Sequence, residues 1–395
     1  MLLKSAYENQ DALFAAAFSV LEAALAERAF PAASLAVTHR GQLIALKVFG
    51  NPVYEKNHEG APSKLSLGGD FDFPITPTTI FDLASLTKVV ATTTMAMILY
   101  ERGLLELNAS VVGIVPEFAS DSGPSDARRR EVTFRMLLAH SSGLPAYEKL
   151  FLKAHSREEL LHAAFTTPLS ADPDTRAEYS DIGFIVLGTA LERIAKERLD
   201  VFCGREIFGP LGMSNTTFNP PTDMRPQIPP TADERSDLPA PPSTNFHSTF
   251  RNRIIQGEVQ DENAFMLGGV APHAGLFSTA ENLARFAQAM LRGGAGIIRP
   301  ETVSLFTRRE SSPTGTSRAL GWDTPSNPSQ SGKYFSASSF GHLGYTGTSL
   351  WIDPERQLSV TLLTNRTWPD CSNQAIKQVR PKFHDAVVEA LSEIA

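Results

Sequence analysis

Two β-hairpin patterns lie at opposite ends of this 395-residue chain, and they constrain its fold more than any other feature. Near the N-terminus, the β-rich runs 33–39 and 43–49 flank a short Arg-Gly-Gln turn. Near the C-terminus, the runs 348–352 and 357–364 flank Asp-Pro-Glu-Arg, a sequence typical of turns. An isolated hairpin is only marginally stable in water. We therefore predict that both hairpins join one antiparallel sheet of about five strands.

Helical patterns cover both ends of the chain and most of the region between the hairpins. Phe14, Phe18, Leu21 and Leu25 recur at helical spacing before the first hairpin. A final helix is predicted over 373–391, with its apolar residues on one side. Between the hairpins, helices are predicted at 86–102, 134–139, 157–165, 182–197 and 280–291. These patterns indicate an α+β fold in which the terminal helices cover the sheet.

The domain organisation follows from the position of the two hairpins. We predict a single domain over 1–395, with an α/β lobe built from about 10–80 and 335–395. The intervening residues, about 81–334, form a mostly helical lobe. Within that lobe, 218–260 is predicted to be an irregular loop, because eight prolines lie between 220 and 242.

Charge and cysteine content argue against several classes of protein. The chain has 36 Lys and Arg residues against 43 Asp and Glu residues, which gives a net charge of −7. A general nucleic-acid binder is expected to be positively charged, so this class is not favoured. Two cysteines, Cys203 and Cys371, cannot form a disulfide framework, which favours a reducing compartment. No stretch approaches the roughly 20 apolar residues of a membrane span. Because Glu8 and Asp11 interrupt a signal-peptide pattern, we expect a cytoplasmic location, with a periplasmic one as the alternative.

Ser85 and Lys88 form an S-x-x-K motif where a polar approach becomes a long helical run. Residues three apart lie on one face of a helix, so the two side chains can touch. The positive end of the helix, together with burial, is expected to move Lys88 toward its neutral form, as a proton acceptor requires. The alternative is that Ser85 caps the helix and Lys88 points to water.

Tyr179, Ser180 and Asp181 immediately precede another strong helical run. A tyrosine held at a helix start can project its phenol into a cleft, where a nearby ammonium group lowers the phenol pKa. In the alternative interpretation, Ser180 is an N-cap, Asp181 a first-turn acid and Tyr179 a core aromatic residue.

A glycine-rich stretch over 340–349 comes just before the C-terminal hairpin and contains His342, Gly344 and Tyr345. Small residues such as Gly344 let a ligand approach a strand edge, where free N–H groups can bind an oxyanion. A glycine-rich turn that simply enters a strand has the same pattern.

The three motifs occur in the order S-x-x-K, Y-S-D and H-x-G, which resembles the serine β-lactamase and penicillin-binding protein superfamily. The segments 137–144 and 268–278 also resemble stretches of that group. The chain is most similar to class C β-lactamases and the β-lactamase-like carboxylesterases, over about 15–392. The resemblance implies a β-lactamase/transpeptidase-like fold.

The resemblance also implies a role for each matching residue. Ser85 is the expected nucleophile, and Lys88 and Tyr179 share the proton transfers. The backbone N–H groups of Ser85 and Tyr345 are the expected oxyanion hole. The motifs of a metal site or of a phosphate-binding loop do not occur in this sequence, and we expect no metal and no cofactor.

Two positions depart from the β-lactamase pattern and bear on substrate binding. Asp181 stands where these enzymes usually have an asparagine that contacts the substrate amide. His342 and Leu343 replace the Lys and Thr that hold the β-lactam carboxylate. A histidine with an ordinary pKa of about 6.5 is mostly neutral at pH 7 and gains charge toward pH 6, so His342 is expected to bind anions weakly.

These observations predict a serine hydrolase that works through an acyl-enzyme on a small-molecule ester or amide. A carboxylesterase acting on small acyl esters is the favoured prediction. The alternative is a β-lactamase or D-alanyl-D-alanine carboxypeptidase of the same fold. A third hypothesis is a catalytically silent binding module, which has no physical need for Ser85, Lys88 and Tyr179 together.

Overall fold

The central sheet has six strands and contains both predicted hairpins. The computed structural model describes residues 3–54, 71–119, 126–235 and 249–392. In chain order, the strands among these residues are β1 (Lys4–Ser5), β2 (Ala32–His39), β3 (Gln42–Gly50), β4 (Phe81–Asp82), β5 (Thr217–Phe218), β6 (Ala232–Asp233), β7 (Ile254–Ile255), β8 (Leu276–Ser278), β9 (Phe340–Leu343), β10 (Ser349–Asp353) and β11 (Leu358–Thr364). The order in the central sheet is β1-β3-β2-β11-β10-β9.

The two hairpins meet in the middle of this sheet, where β2 and β11 run antiparallel. The antiparallel pairing continues outward to β3 on one side and through β10 to β9 on the other. The predicted sheet of about five antiparallel strands is therefore confirmed. A sixth strand, β1, was missed and runs parallel to β3. A strand of two residues is too short to show the alternation by which strands are recognised in a sequence.

Every predicted helix is present, within a few residues of its predicted bounds. The helices are α1 (Gln10–Leu13), α2 (Ala15–Ala26), α3 (Thr94–Glu101), α4 (Phe134–Leu138), α5 (Arg157–Thr166), α6 (Asp181–Ala195), α7 (Leu199–Cys203), α8 (Glu262–Met266), α9 (Ala280–Leu291), α10 (Pro300–Thr307) and α11 (Ile376–Ser392). A wider π-helical segment, Lys88–Thr93, leads into α3. No helix within the described ranges is long and apolar enough to cross a membrane.

Helices cover both faces of the central sheet. On one face, Phe18 of α2 and Phe383 of α11 share a buried cluster with Val360 of β11. On the other face, Phe286 of α9 belongs to a second buried cluster, which includes Leu350 of β10. Successive side chains of a strand point to opposite faces, so each strand contributes to both clusters. This arrangement confirms the predicted α+β fold, with the terminal helices packed on the sheet.

Two small sheets lie outside the central one and hold the segments near Ser85. Strand β8 pairs with β4 and β5, so the residues that precede Ser85 are fixed by backbone hydrogen bonds. Strands β6 and β7 pair within the region 218–260, which therefore contains some regular structure where an irregular loop was predicted. Part of that predicted loop, 236–248, lies outside the described residues.

Candidate active site

Ser85, Lys88 and Tyr179 meet beside a cavity of about 870 Å³. The hydroxyl of Tyr179 donates a hydrogen bond to Ser85 Oγ over 2.7 Å, and Lys88 Nζ donates to the same oxygen over 3.2 Å. Lys88 is completely buried, so it does not point to water. The side chain of Ser85 does not cap the helix. Its oxygen instead accepts hydrogen bonds from Lys88 and Tyr179, the two residues predicted to act with it.

The turn before Ser85 is held in an unusual backbone conformation. Ala84 has a φ of +46°, in the left-handed region that residues other than glycine rarely occupy. The buried carboxylate of Asp82 accepts hydrogen bonds from the N–H of Ala84 (2.8 Å) and of Gln260 (2.7 Å). Strain of this kind persists only where surrounding contacts enforce it. The Asp82 carboxylate therefore holds in place the turn that presents Ser85 to the cavity.

Tyr179 is positioned by the residues on either side of the start of α6. Ser180 is the N-cap of this helix, and its Oγ accepts a hydrogen bond from the N–H of Gly183 over 2.9 Å. The N–H of Ser180 donates to Nδ1 of the buried His140 over 3.0 Å, and the ring of His140 lies 4.7 Å from that of Tyr179. Ser180 thus caps the helix, as the alternative interpretation predicted, while Tyr179 still faces Ser85. The role of His140 was missed, although it lies in the segment 137–144.

Lys88 is held by three acceptors, and its charge differs from the expectation. Nζ donates to Asp181 Oδ1 (2.6 Å) and to the carbonyl of His273 (2.9 Å), as well as to Ser85. Burial lowers the pKa of Lys88, but the adjacent Asp181 carboxylate and Tyr179 raise it, and the net pKa lies above the ordinary value. The prediction of a neutral Lys88 is therefore wrong for the resting site, because the sequence did not show that Asp181 contacts the amine.

Tyr179 also carries its proton more tightly than expected. Burial and the Asp181 carboxylate raise the pKa of Tyr179 to about 12, and the opposing effect of Lys88 is smaller. The prediction that a nearby ammonium lowers this pKa is wrong in its net direction. At neutral pH, Tyr179 is a phenol that donates its hydrogen to Ser85 Oγ.

Among the residues that the structure describes, neither the backbone N–H of Ser85 nor that of Tyr345 has a hydrogen-bond acceptor, which leaves both N–H groups available to a ligand. The hydroxyls of Thr346 and Thr348 donate to the carbonyls of Asp82 and Leu83 over 2.8 Å and 2.9 Å. These bonds tie the turn of Tyr345 to the turn of Ser85, so the two segments predicted to form an oxyanion hole are joined directly.

Gly344 lines the cavity and packs tightly against the turn before Ser85. A Cβ atom at Gly344 would lie 1.9 Å from Thr348 Oγ1 and 2.5 Å from the carbonyl oxygen of Leu83. Packing within the protein therefore requires a glycine here. This reason adds to the one inferred from the sequence, which was access for a ligand. Arg380 of α11 fixes the same turn, because its guanidinium donates to the carbonyls of Gly344 (2.7 Å) and Thr348 (2.8 Å).

His342 lies on β9, where it lines the cavity but is 3% exposed. Its Nδ1 donates to the carbonyl of Leu343 over 2.8 Å, so Nε2 is an acceptor, and it has no hydrogen-bond partner among the described residues. Burial, together with the charges of Lys88 and Arg318, holds the pKa of His342 well below 6.5. The expectation that His342 gains charge toward pH 6 is therefore wrong, because the sequence did not show its burial.

Arg318 supplies a cation that the sequence analysis missed. It lines the same cavity, and its guanidinium carbon lies 5.5 Å from the ring centre of Tyr179. Its ion pair with Asp323 is long, at 3.7 Å, and its side chain is 22% exposed. No motif marks this arginine, because it lies outside the three segments that carry the resemblance. Although position 342 holds a histidine where the β-lactamase pattern has a lysine, Arg318 therefore gives the cavity a positive charge.

Across the described ranges, no three His, Cys, Asp or Glu side chains come together as metal ligands, at this cavity or elsewhere. Cys203 and Cys371 are both buried, and neither forms a disulfide within the described ranges. Cys371 lines the cavity, and burial raises its thiol pKa, which disfavours the nucleophilic thiolate.

Comparison with known proteins agrees with this geometry. The family model described as Beta-lactamase matches residues 18–379. An N-acetylmuramyl-L-alanine amidase of Bacillus subtilis (strain 168) is 31% identical over 360 residues, which cover 85% of this chain and 77% of that protein. A putative D-alanyl-D-alanine carboxypeptidase of Salmonella agona (strain SL483) is 30% identical over 376 residues, covering 88% of this chain and 81% of that protein.

A solved structure shows the same fold. EstCE1, described as a hydrolase with promiscuous acyltransferase activity, superposes with a TM-score of 0.73 at 20% identity, covering 96% of this chain and 99% of that one. The family match extends over the S-x-x-K, Y-S-D and glycine-rich segments, which are the segments that meet at the cavity. A chain with this fold, this match and this arrangement of Ser85, Lys88 and Tyr179 belongs to the β-lactamase family of serine hydrolases.

Proposed function

We propose that this protein hydrolyses a small amide that carries a free carboxylate, through an acyl-enzyme on Ser85. The contact of Ser85 Oγ with both Tyr179 and Lys88 carries the proposal, since it places a proton donor and a cation at the attacking oxygen. A nucleophilic serine needs neighbouring groups that can relay its proton to the leaving group, because its hydroxyl is weakly reactive at its own pKa. The three residues come from two separate segments of the chain, which the fold brings together at one oxygen.

The proposed reaction has two steps. Ser85 Oγ attacks the substrate carbonyl as its proton passes to Lys88, and the N–H groups of Ser85 and Tyr345 hold the resulting oxyanion. When the C–N bond breaks, Tyr179, which is protonated at neutral pH, donates its proton to the leaving nitrogen and takes a proton from Lys88 in turn. Water then attacks the acyl-enzyme with the proton movements reversed and releases the acid.

Arg318 supports the choice of a substrate with a carboxylate. It is a guanidinium in the cavity beside Tyr179, and guanidinium groups match carboxylates in shape and charge. Two relatives that match over most of this chain are named as an amidase and as a putative carboxypeptidase. Amides of small peptides or of acylated amino acids have both features, an amide bond and a nearby carboxylate.

Esters of short acyl chains are the second candidate class, which the sequence analysis favoured. The cavity has an apolar wall that includes Tyr147, Phe151 and Phe250, and the rings of Phe151 and Phe250 lie 4.8 Å apart. Such a wall suits an acyl chain without any charged group. Because esters are more reactive than amides, p-nitrophenyl esters also report the acyl-transfer chemistry independently of specificity.

The nucleophile is tested by covalent labelling and by Ser85→Ala. A fluorophosphonate probe should modify Ser85 of the unaltered enzyme, and mass spectrometry of the peptide should locate the adduct. Ser85→Ala should lose at least about 10³-fold in kcat, since no covalent path remains. Ser372→Ala, outside the cavity wall, is the matched control and should retain both labelling and turnover. Unchanged hydrolysis by Ser85→Ala would contradict the mechanism.

The substrate class is tested by Arg318→Ala with two substrates. For a carboxylate-bearing amide such as a D-Ala-D-Ala peptide, kcat/KM should fall at least about tenfold, because hydrogen bonds to charged groups contribute about 1.5–3 kcal/mol. For a neutral p-nitrophenyl ester it should change little. Lys149→Ala removes another cation of the cavity wall and is the control. Equal losses on both substrates would contradict a role of Arg318 in binding the carboxylate.

A further inference from the structure

Asp181 has a contact that a substrate-binding role does not explain. Its Oδ1 lies 2.6 Å from Lys88 Nζ, closer than the other two acceptors of this amine, His273 O and Ser85 Oγ. The three acceptors match the three N–H bonds of an ammonium ion. Lys88 is fully buried, and the side chain of Asp181 is only 15% exposed, so water screens this ion pair weakly.

Among the described residues, few other charged groups lie near Lys88. Asp261 contacts the ring of His273 over 2.9 Å, and its negative charge interacts with Lys88 from that side. The buried rings of His140 and His342 also face the amine, and burial keeps the pKa of both well below 6.5, so both are neutral. Tyr179 is a phenol at neutral pH. Asp181 is therefore the carboxylate in direct contact with Lys88 within the described part of the chain.

We propose that Asp181 is a positioning residue that acts through Lys88, holding it as an ammonium ion at rest and taking up one of its protons when Ser85 attacks. This inference rests on the proposed function and adds the final proton acceptor to it. A buried ammonium has no lone pair, so Lys88 alone cannot accept a proton from Ser85. An asparagine, which the β-lactamase pattern places here, cannot accept one either.

The proton balance of acylation is as follows. Lys88 gives one N–H proton to Asp181 Oδ1, and the freed lone pair on Nζ takes the proton of Ser85. Ser85 Oγ bonds to the carbonyl carbon, and the carbonyl π pair becomes the oxyanion. When the C–N bond breaks, the leaving nitrogen takes a proton from Tyr179, Tyr179 takes one from Lys88, and Lys88 recovers one from Asp181. The site ends with its original protons.

The test is Asp181→Asn, with kcat, KM and kcat/KM of a p-nitrophenyl ester measured from pH 6 to pH 9. At pH 6–7, kcat should fall about 10²-fold, the size typical of lost general-base assistance, while KM changes less than about threefold. Without the carboxylate, burial lowers the pKa of Lys88, so neutral Lys88 becomes available at higher pH. The deficit should therefore shrink to about tenfold or less by pH 9.

Two variants separate this role from others. Glu262→Gln removes another carboxylate of the cavity wall and should change kcat less than about twofold at every pH. Asp181→Glu keeps a carboxylate and should retain a wild-type pH profile at reduced kcat, which gives a readout if the asparagine variant does not fold.

Three results would overturn the inference: a deficit of Asp181→Asn that is the same at every pH, a change in KM with kcat preserved, or a kcat above wild type. Ser85→Ala, assayed alongside, keeps the two proposals distinct. Its inactivity would leave the acyl-enzyme mechanism standing even where the role of Asp181 fails.

Discussion

Asp82 is a buried carboxylate whose two oxygens each accept one backbone hydrogen bond beside Ser85. Its side chain faces no cation within hydrogen-bond distance among the described residues. Burial raises the pKa of Asp82 from 3.8 to about 6, against the lowering effect of the two N–H donors of Ala84 and Gln260. The folded protein therefore holds the Asp82 proton to a higher pH than the unfolded chain does.

Asp82 should make stability fall as pH rises from about 4 to about 7. Because the folded state binds more protons than the unfolded state in this window, the free energy of unfolding decreases with pH, by up to about 3 kcal/mol for this one group. Asp82→Asn cannot titrate. Urea unfolding at several pH values should show wild type losing stability relative to Asp82→Asn as pH rises.

An exposed carboxylate provides the reference for this experiment. Asp11, whose side chain is 76% exposed, can be changed to Asn in the same way. A wild-type protein that gains stability over Asp82→Asn between pH 4 and pH 7 would contradict the argument, because the sign of the linkage would be reversed.

Whether a site residue could be recognised from the sequence depends on how far apart in the chain it and its contact partner lie. Ser85 and Lys88 were recognised because their contact spans one helical turn, which spacing alone describes. Asp82 reaches Gln260, and Lys88 reaches Asp181, across 178 and 93 residues. No periodicity encodes such contacts. The directions in which the pKa values of Lys88 and Tyr179 shift were also predicted wrongly, because burial and Asp181 together raise the pKa of Tyr179 and Asp181 raises that of Lys88.

At the scale of elements, the site depends on two turns that touch. The turn after β9 and the turn after β4 are joined by the hydroxyls of Thr346 and Thr348. Arg366 donates to the carbonyl of Tyr345 over 2.7 Å, and Arg380 donates to that of Gly344, also over 2.7 Å. Two buried guanidinium groups, one just after β11 and one in α11, therefore fix this turn.

Gly344→Ala should disturb both turns. Its Cβ would fall inside contact distance of Thr348 Oγ1 and the Leu83 carbonyl, and overpacking of this kind costs about 1–3 kcal/mol. Displacing the N–H of Tyr345 should also lower kcat. The decrease should be no larger than the roughly 10²–10³-fold loss that follows complete removal of an oxyanion donor. Thermal unfolding and p-nitrophenyl ester turnover measure the two effects.

Gly113 offers the matched control for this substitution. A Cβ there meets nothing within 4 Å, and Gly113 lies in a short 3₁₀ turn remote from the cavity lining. Gly113→Ala should leave both turnover and unfolding temperature close to wild type. Equal effects of the two substitutions would show that the contact at Gly344 is not the cause.

The elements that were predicted correctly are those with a long regular pattern. Helix α6 (Asp181–Ala195) and the strands of both hairpins have enough residues for periodicity to emerge. Strands β1, β6 and β7 have two residues each and exist only because a partner strand lies beside them. Their formation is a tertiary effect, so the local sequence does not reveal it.

Across the whole molecule, Asn365 links three distant parts of the chain. Its Oδ1 accepts a hydrogen bond from the N–H of Ala32 over 3.1 Å, at the start of β2. Its Nδ2 donates to the carbonyls of Pro52 and Pro230, each over 2.9 Å. The residue is 1% exposed, so these groups have no access to water as a replacement.

Asn365→Leu should destabilise the fold by at least about 3 kcal/mol. Leucine has a similar volume but leaves three buried backbone groups unpaired, each at a cost of about 1–3 kcal/mol. Urea unfolding gives the free energy directly. Asn108→Leu, at an exposed position, is the control and should stay within about 0.5 kcal/mol of wild type. A loss below about 1 kcal/mol for Asn365→Leu would contradict this account.

The pairing of β2 with β11 also has a consequence for synthesis of the protein on the ribosome. About 320 residues separate the end of β2 from the start of β11, and at roughly 5–20 residues per second their translation takes about 15–60 s. During that time the nascent N-terminal hairpin presents a strand edge with no partner, which is a template for aggregation. We therefore expect soluble yield to depend on translation temperature and on chaperones that bind the emerging chain.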